Sequence, residues 1–460
     1  MFIHIMNAEE KHANVDKKVI RMTRETIVVH GNSTLSGEVH VSGAKNSALK
    51  LIAASLLGQG ECVIRNVPKI SDIDVMCDVL EWLGATVGRN GHDGRDEHTL
   101  TIDTAPVNSC ETPYELVSKM RASISVLGPL IGRFGKAHVA MPGGCQIGAR
   151  KIDMHMKGLE ALGVLFDIDH GYLKATTPNG LHGAHVTLDF PSVGATENLM
   201  MASVVADGAT VIENAAREPE IVDLANMLNE MGAQVTGAGT STISVQGVAL
   251  GSMHPCDHTT CGDRIEAGTF LVGGALTGGP LTVQGIDPSY LHMAIVKLRE
   301  MGCTVQTGPD WITVSREGEL KPVEIQTLPH PGFPTDLQAQ FMLLASCANG
   351  ASVITENVFE NRFMFAAELA RMGADIVIED HHALVRGGRQ LQGAPVSSTD
   401  LRAGAALVLA GIVAEGETVI HKIAHIDRGY EDYVGKLVSL GADVERVSAK
   451  SDDSRGHDED

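Results

Sequence analysis

Aromatic residues and long apolar runs are both scarce in this 460-residue chain. Phe, Trp and Tyr together make up 4% of it, so the core must be built from Ala, Val, Leu, Ile and Met. No apolar run approaches the roughly 18 residues that a membrane-spanning helix needs. Residues 1–24 mix charged side chains with His and Asn and lack the apolar stretch of a signal peptide. We therefore expect a cytoplasmic protein without a membrane-bound part.

Positive charge is also in short supply. The chain has 36 Lys and Arg against 57 Asp and Glu, and its formal net charge is −21 at pH 7. This balance disfavours nucleic-acid binding, because neutralising phosphates requires a basic surface. An anionic small-molecule substrate stays possible if basic residues are gathered locally. The eight cysteines are scattered along the chain, which is typical of free thiols and not of a disulfide framework.

An internal repeat dominates the sequence. A helical pattern that ends in Gly and then an apolar or β-branched stretch occurs six times, at intervals of about 70 residues. We expect each glycine to end a helix, because a residue without Cβ adopts the left-handed conformation easily, and a strand to follow. The six glycines are Gly84, Gly163, Gly232, Gly302, Gly373 and Gly441.

A second series of Ala- and Leu-rich helices alternates with the first. These helices are apolar nearly all round, which indicates burial inside sheets and not packing on top of them. The six segments are LIAASLLGQGECVI, LGPLIGRFGKAHVAM, MMASVVADGATVI, FLVGGALTGGPLTV, FMLLASCANGASVI and LVLAGIVAEGETVI. The predicted fold class is therefore α/β (α+β), with six helix–strand repeats divided between two domains of three.

Polar stretches suggest where the domains and tails lie. The repeat lapses at His254–Gly262, where we expect an irregular linker between the domains. The strand-like start, Ile27–Val41, could pair with either domain. Residues 1–24 and the acidic segment 448–460 lack apolar periodicity, and we expect both to be disordered tails.

One glycine-rich loop contains a cysteine suited to chemistry. In MPGGCQIGAR the thiol of Cys145 lies in a segment too rich in Gly for a strand core, and Arg150 follows five residues later. An exposed thiol beside a cation ionises more easily. A small loop residue without a catalytic role is an equally good interpretation of Cys145 from the residues alone.

Basic residues occur at repeated helix entrances. Lys45 and Arg121 stand at the start of corresponding helices, and Arg428 lies at another strand-to-helix junction. Helix N-termini favour anions through their free N–H groups and dipole. A solvated surface charge explains any one of them, but the recurrence in an acidic chain indicates an anion site.

Two aspartates, Asp336 and Asp400, precede apolar helices at matching positions. N-capping explains both, and we keep it as the default for Asp400. The rigid HPGFP segment before Asp336 could also aim a general base. The cluster of His254, Cys256, His258 and Cys261, earlier in the chain, lacks the paired spacings of a zinc site, so we assign it to the linker.

Nine motifs in this order carry a family resemblance: SGAKNSAL, PGGCQIGAR, SVGATEN, ENAAREPEIVD, DRIEAGTF, FPTDLQAQF, ENRFM, TDLRA and HIDRGYE. Together, over about residues 27–447, they resemble the UDP-N-acetylglucosamine 1-carboxyvinyltransferase family, enolpyruvyl transferases of peptidoglycan synthesis. The resemblance implies a two-domain inside-out α/β barrel with helices inside and sheets outside. It also implies a C-terminal domain of residues 25–44 plus 262–447 and an N-terminal domain, which carries the catalytic loop, of residues 45–261.

The resemblance implies a reaction between phosphoenolpyruvate and UDP-N-acetylglucosamine with no metal or organic cofactor, in a protein we expect to be a monomer. Cys145 would protonate C3 of phosphoenolpyruvate, and Asp336 would take the proton of the sugar 3'-hydroxyl. Lys45, Arg121, Arg150 and Arg428 would hold the anionic groups. The remaining expected substrate contacts are Asn46, Lys151, Ile152, Asp153, Met154, Ser192, Val193, Val358, Asp400 and Arg402.

Two departures from the family pattern concern flexibility: Lys151 replaces a usual Pro, and Cys261-Gly262 replaces an apolar-Pro pair. Three alternatives remain open. The chain could act on shikimate 3-phosphate, although it carries the PGGC loop that those transferases lack. It could be a natural-product transferase with another nucleotide acceptor, which the SVGATEN and HPGFPTD motifs disfavour. It could also be a silent paralogue that binds nucleotide sugar, but it retains Cys145 and Asp336.

Overall fold

The computed structural model of the protein describes residues 25–89, 96–117, 120–141 and 152–448, with the side chains of 121–123 left aside. Over these residues the chain alternates helices and short strands as the repeat predicts. The helices are α1 Lys45–Ala54, α2 Ser71–Trp82, α3 Tyr114–Val117, α4 Leu127–Phe134, α5 Asp153–Ala161, α6 Val193–Ser203, α7 Pro219–Glu230, α8 Arg264–Thr277, α9 His292–Glu300, α10 Gln338–Cys347, α11 Met364–Arg371, α12 Leu401–Val413 and α13 Tyr433–Ser439.

Twenty-three strands accompany the helices in the described ranges. They are β1 Glu25–His30, β2 Gly37–His40, β3 Glu61–Arg65, β4 Thr86–Arg89, β5 Leu100–Asp103, β6 Lys136–Ala140, β7 Leu165–Asp169, β8 Tyr172–Thr176, β9 His185–Thr187, β10 Ala209–Glu213, β11 Gln234–Thr236, β12 Thr242–Gln246, β13 Asp257–Thr259, β14 Leu281–Gln284, β15 Thr304–Thr307, β16 Trp311–Ser315, β17 Glu324–Gln326, β18 Ala351–Thr355, β19 Asp375–Glu379, β20 His382–Arg386, β21 Pro395–Ser397, β22 Glu417–His421 and β23 Asp443–Ser448.

The strands form six small sheets, one for each repeat. Five sheets have four strands, in the orders β13-β3-β5-β4, β11-β12-β10-β9, β15-β16-β14-β2, β17-β18-β20-β19 and β21-β22-β1-β23. In each of these, three strands pair antiparallel and the fourth joins in parallel. The sixth sheet, β6-β8-β7, has three strands, and an isolated parallel bridge between Glu111 and His138 lies where a fourth would pair.

Helices of the Ala- and Leu-rich series lie inside this shell of sheets. In α1, α6, α8, α10 and α12 almost every residue is buried, which confirms the predicted inside-out arrangement. The amphipathic helices of the first series end before the six repeat glycines, whose φ angles lie between 93° and 106°. Only glycine adopts such angles at no steric cost, so the predicted helix ends are confirmed as well.

The start of the chain completes sheets that belong to its second half. β1 pairs antiparallel with β22 and β23, and β2 pairs in parallel with β14. The buried apolar residues accordingly form two clusters, one from Ala48 to Met253 and one that joins Ile27–Val41 to Ile265–Val444. We propose on this basis the domain division stated above, at residues 44/45 and 261/262.

The structure corrects two details of the domain boundaries. The segment expected to be an irregular linker contains β13, which pairs in parallel with β3 at the edge of that sheet. At the C-terminus, β23 extends to Ser448, which pairs with Glu25, so the strand includes the first residue of the expected tail. Residues 1–24 and 449–460 lie outside the described ranges. Within the described ranges, no helix is both long enough and apolar enough to cross a bilayer.

Removing core volume from an inner helix should destabilise the fold strongly. Leu407 of α12 is fully buried, so Leu407→Ala should lower the free energy of unfolding by about 2–5 kcal/mol. Leu165 on β7 is 61% exposed, and Leu165→Ala should change it by no more than about 0.5 kcal/mol. Chemical denaturation of both variants checks the difference, and equal losses would mean that α12 is not a core helix.

Candidate functional site

The chain passes from one core to the other twice, and these two crossings lie next to each other. Gly43 and Gly262 form an antiparallel bridge, and the Ala44 N–H donates to the Cys261 carbonyl at 2.7 Å. The helices α1 and α8 therefore begin side by side, each directly after its crossing. A helix N-terminus presents unpaired N–H groups, so the positive ends of two helix dipoles meet between the two cores. The region between the cores around these two helix starts is called the cleft below.

Asp263 binds these two helix starts together. Its Oδ1 caps α8 by accepting from the N–H groups of Ile265 and Glu266, at 2.8 and 3.0 Å. Its Oδ2 accepts from the backbone N–H of Lys45, the first residue of α1, at 3.2 Å. One buried carboxylate thus satisfies donors of both helices and places Lys45 at the cleft.

Lys45 and Arg428 share a carboxylate across the cleft. Lys45 Nζ lies 2.7 Å from Asp72 Oδ2, and Arg428 Nε lies 2.9 Å from Asp72 Oδ1. Burial lowers the pKa of Lys45, and nearby Arg402 and Arg428 add to this effect, so Asp72 does not restore the usual value. Burial opposes ionisation of Asp72, but Lys45 and Arg428 outweigh it and hold the pKa of this carboxyl below its usual value.

Asp336 and Asp400 have similar sequence surroundings but different structural roles. Asp400 caps α12, accepting from the N–H groups of Arg402 and Ala403 at 2.8 and 3.1 Å, as predicted. Asp336 does not cap: it lies in a 3₁₀ turn, Thr335–Leu337, and the N-cap position of α10 is taken by Leu337, whose side chain makes no capping hydrogen bond. The capping interpretation of Asp336 is therefore wrong.

The Asp336 carboxylate instead forms ion pairs with two buried arginines. Arg362 Nη2 lies 2.9 Å from Oδ1, and Arg402 Nε lies 3.2 Å from Oδ2. Only 6% and 3% of these arginine side chains is exposed. A buried guanidinium needs an anion at contact distance. The Asp336 carboxylate therefore pairs with these arginines and does not cap α10.

Two glutamates at the start of α7, Glu218 and Glu220, contact residues near Asp336. Arg264, at the start of α8, is paired with Glu220 at 3.0 Å, and Glu218 accepts from the backbone N–H of His330 at 3.3 Å. Burial and the charge of Arg264 lower the pKa of His330 to about 4. His330 is therefore neutral at pH 7.

The other predicted substrate contacts lie at helix starts or half-buried turns. Ser192 caps α6, and Val193 is its first residue. Ile152 precedes α5, which begins with Asp153 and Met154. Asn46 follows Lys45 in α1, and the Val358 N–H donates to Glu356 Oε1 at 2.8 Å. Arg121 begins a 3₁₀ turn, Arg121–Val126; Cys145, Arg150 and Lys151 lie outside the described residues.

The linker His and Cys residues have separate partners. His258 bridges Asp223 and Glu230 at 3.0 and 2.8 Å. The Cys261 N–H donates to Asp223 at 3.2 Å, and the Cys256 thiol faces Cys62.

Sequence reasoning did not single out Asp72, Arg362, Arg264, Glu218 or Glu220. Arg362, Arg264, Glu218 and Glu220 belong to motifs quoted above as wholes, in ENRFM, DRIEAGTF and ENAAREPEIVD. Asp72 has only the local character of an acidic residue in the first turn of α2.

Known proteins share both the sequence and the fold of this chain. Residues 29–437 match the family model described as EPSP synthase (3-phosphoshikimate 1-carboxyvinyltransferase). The chain is 52% identical over 420 residues to a UDP-N-acetylglucosamine 1-carboxyvinyltransferase of Aeromonas salmonicida, covering 91% of this chain and 98% of that protein. It is 51% identical over 425 residues to UDP-N-acetylglucosamine 1-carboxyvinyltransferase 1 of Staphylococcus aureus, covering 92% of this chain and all of the relative.

Solved structures agree in fold. The enolpyruvyl transferase NikO from Streptomyces tendae superimposes with a TM-score of 0.83 at 28% identity, over 93% of this chain and 99% of that one. EPSP synthase from Acinetobacter baumannii superimposes with a TM-score of 0.71 at 18% identity, over 92% of this chain, which shows the fold alone. With half of its residues identical over nearly its full length, the chain belongs to the UDP-N-acetylglucosamine 1-carboxyvinyltransferase family of enolpyruvyl transferases.

Proposed function

We propose that this chain transfers the enolpyruvyl group of phosphoenolpyruvate to the 3'-hydroxyl of UDP-N-acetylglucosamine and releases phosphate, the first committed step of peptidoglycan synthesis. The observation that carries the proposal is 51–52% identity to proteins named for this activity, over more than nine-tenths of the chain. We propose further that the enzyme works as a monomer in the cytoplasm.

The reaction requires an acid, a base and several cations. The sugar oxygen adds to C2 of phosphoenolpyruvate while C3 gains a proton, which gives a tetrahedral ketal that carries phosphate and carboxylate. Loss of a C3 proton and departure of phosphate then leave the enol ether. In this proposal Cys145 donates the first proton and Asp336 accepts the proton of the sugar hydroxyl.

The cleft geometry supports this assignment of charges. Asp72 sits between Lys45 and Arg428, where an incoming carboxylate or phosphate would be attracted. An anionic substrate could take the place of the Asp72 carboxylate beside Lys45 and Arg428 and would then neutralise both cations. Asp72 would turn toward solvent or toward another donor. Cations already held in place stabilise the charge of the intermediate without reorganisation. Arg121 and Arg150 complete the proposed anion site.

Asp336 is held between two cations, as a base that must stay ionised requires. Arg362 and Arg402 each bond one of its oxygens, so the carboxylate has a fixed orientation. Fixed geometry at the reacting oxygen is worth several powers of ten in rate. The expected contacts to the nucleotide sugar, Asn46, Ser192, Val193 and Val358, would bring its 3'-hydroxyl to this carboxylate.

Substrate choice tests the proposed function directly. We expect phosphate release from phosphoenolpyruvate with UDP-N-acetylglucosamine and none with shikimate 3-phosphate. The family model and the likeness to NikO make shikimate 3-phosphate and other nucleotides the acceptors to compare. A steady-state phosphate assay with each acceptor measures this, and release with another acceptor alone would overturn the proposal.

Replacing Asp336 or Asp400 with Asn should distinguish a general base from a helix cap. Asn cannot accept the sugar proton, so Asp336→Asn should lower kcat by about 10²–10⁴ while the nucleotide sugar still binds. Asp400→Asn keeps the cap of α12, because Asn caps about as well as Asp, and should lose less. Turnover at saturating substrate and binding of the nucleotide sugar are the measurements. An equal loss of kcat in the two variants would reject Asp336 as the unique base.

The lowered pKa of Lys45 predicts an alkaline limit on substrate binding. Because this ammonium deprotonates below the usual pH for lysine, KM for phosphoenolpyruvate should rise as pH increases through the lowered pKa. If binding needs the charged form, the rise is about tenfold per pH unit above that pKa. Lys45→Arg stays charged and should show a flatter profile. An identical rise of KM in both proteins would assign it to another group.

A further inference from the structure

Asp223 of α7 is a buried carboxylate that joins three other segments of the chain. Its Oδ2 accepts from the Ser47 hydroxyl, in the first turn of α1. The same oxygen accepts from the Cys261 N–H, at the second crossing, at 3.2 Å. Its Oδ1 lies 3.0 Å from Nε2 of His258, on β13. The start of α1, the second crossing and β13 therefore meet on one side chain of α7.

The partners of His258 require a charged ring. Its Nδ1 lies 2.8 Å from Glu230 Oε2, so each ring nitrogen faces a carboxylate, which accepts hydrogen bonds when it is ionised. A neutral imidazole has a proton on one nitrogen only and would turn a lone pair toward the other carboxylate. On the side of β3, the neighbour of His258 in the sheet is the apolar Ile64. Burial opposes the charge, but Asp223 and Glu230 outweigh it and raise the pKa of His258.

This imidazolium is the countercharge of Asp223. Only 8% of the Asp223 side chain is exposed, and a buried carboxylate needs a cation at contact distance. Over the residues that the structure describes, that cation is His258, while Glu220, one turn earlier on α7, is paired with Arg264. With its charge neutralised through Oδ1, the Asp223 carboxylate holds the hydroxyl and N–H donors through Oδ2.

Two routes of hydrogen bonds lead from Asp223 to the backbone of Lys45. Ser47 follows Lys45 by two residues, and its own N–H donates to the Ala44 carbonyl at 3.1 Å. Cys261 reaches the residue before Lys45, because its carbonyl accepts from the Ala44 N–H. Asp223 therefore holds the chain on both sides of Lys45.

We infer that Asp223 is a positioning residue for the reaction: its carboxylate, neutralised by the His258 imidazolium, ties the first turn of α1 to the second crossing and so fixes Lys45 in the cleft. The inference rests on the proposed function, in which Lys45 binds an anionic substrate. Lys45 is the first residue of α1, so a looser start of this helix would place its ammonium less well against the bound anion.

Ser47→Ala tests the inference, with Ser55→Ala as its matched control. Both serines are fully buried, and Ser55 directly follows the last residue of α1. The Ser55 hydroxyl donates to the Ile52 carbonyl of its own helix at 2.7 Å. Each variant thus removes one buried hydroxyl donor, and their melting temperatures should lie within a few degrees of each other. Only Ser47→Ala removes a hydrogen bond between α1 and Asp223.

In Ser47→Ala the start of α1 is held less firmly, so Lys45 should bind the substrate anion less well. We expect KM for phosphoenolpyruvate to rise about three- to tenfold, as the loss of one hydrogen bond commonly produces, with a smaller change in kcat. A purely structural loss would instead lower the active fraction, and with it kcat, and leave KM unchanged. Ser55→Ala should keep the wild-type KM. An unchanged KM in Ser47→Ala, or an equal rise in both variants, would overturn the inference.

The charge of His258 can be measured directly. In protein labelled with 15N-histidine, its ring resonances are assigned by their loss in His258→Gln. We expect the ring to titrate above the ordinary histidine midpoint of about pH 6.5, with protons on both nitrogens until that raised midpoint is reached. A midpoint at or below the ordinary value would leave Asp223 without its countercharge at pH 7 and would overturn the inference.

Hydrogen exchange judges the position of α1 without turnover. The N–H groups of Lys45 and Ser47 are bonded to Asp263 and Ala44 in the first turn. Mass spectrometry of peptides from this turn should show faster amide exchange in Ser47→Ala than in the wild type or in Ser55→Ala. Unchanged exchange in Ser47→Ala would contradict the inference. A wild type that is inactive with these substrates, yet shows the faster exchange in Ser47→Ala, would reject only the proposed function.

Discussion

Buried positive charge is the constraint on which the cleft of this protein depends. Lys45, Arg264 and Arg402 are almost entirely shielded from water, and an unpaired buried cation costs several kcal/mol or more. Each therefore has a carboxylate at contact distance: Asp72, Glu220 and Asp336. The strongly acidic composition supplies such partners freely. The cations therefore stay in place in the absence of substrate, which is what an enzyme acting on anions requires.

The paired chain crossings give this charge cluster its position. Asp263 caps α8 and holds the start of α1, so the two helices cannot move apart at this point without losing buried hydrogen bonds. Farther from the crossings, the cores are joined by the ion pair between Asp72 and Arg428 and by a contact of 2.8 Å between His98 and Glu431. At the crossings the contacts are buried hydrogen bonds between the Asp263 carboxylate and backbone N–H groups, whereas the contacts farther away join two side chains.

The repeat explains how each core holds together by itself. Each module buries its own inner helix against its own sheet, and neighbouring modules pack helix to helix, so each core is complete within three modules. β1, β2 and β13 are the exceptions, since each completes a sheet that the adjoining stretch of chain leaves open. The chain must cross between the cores twice to supply them. The site therefore forms where the repeats are joined and not within any one of them.

Periodicity along the chain determined much of this protein in advance. The glycines at the helix ends, the apolar inner helices and the cap at Asp400 follow from backbone geometry within a few residues, which a sequence displays directly. Family motifs led us to propose Lys45, Arg428 and Asp336 as site residues. The partners of these charges were not predictable, because Asp72 and Arg428 are 356 residues apart and Asp336 and Arg402 are 66 apart. Asp336 has the local surroundings of a cap, as Asp400 does, and only the tertiary structure decided its fate: two buried guanidinium groups, brought from α12 and the segment before α11, bind its carboxylate more strongly than the N–H groups of α10 could.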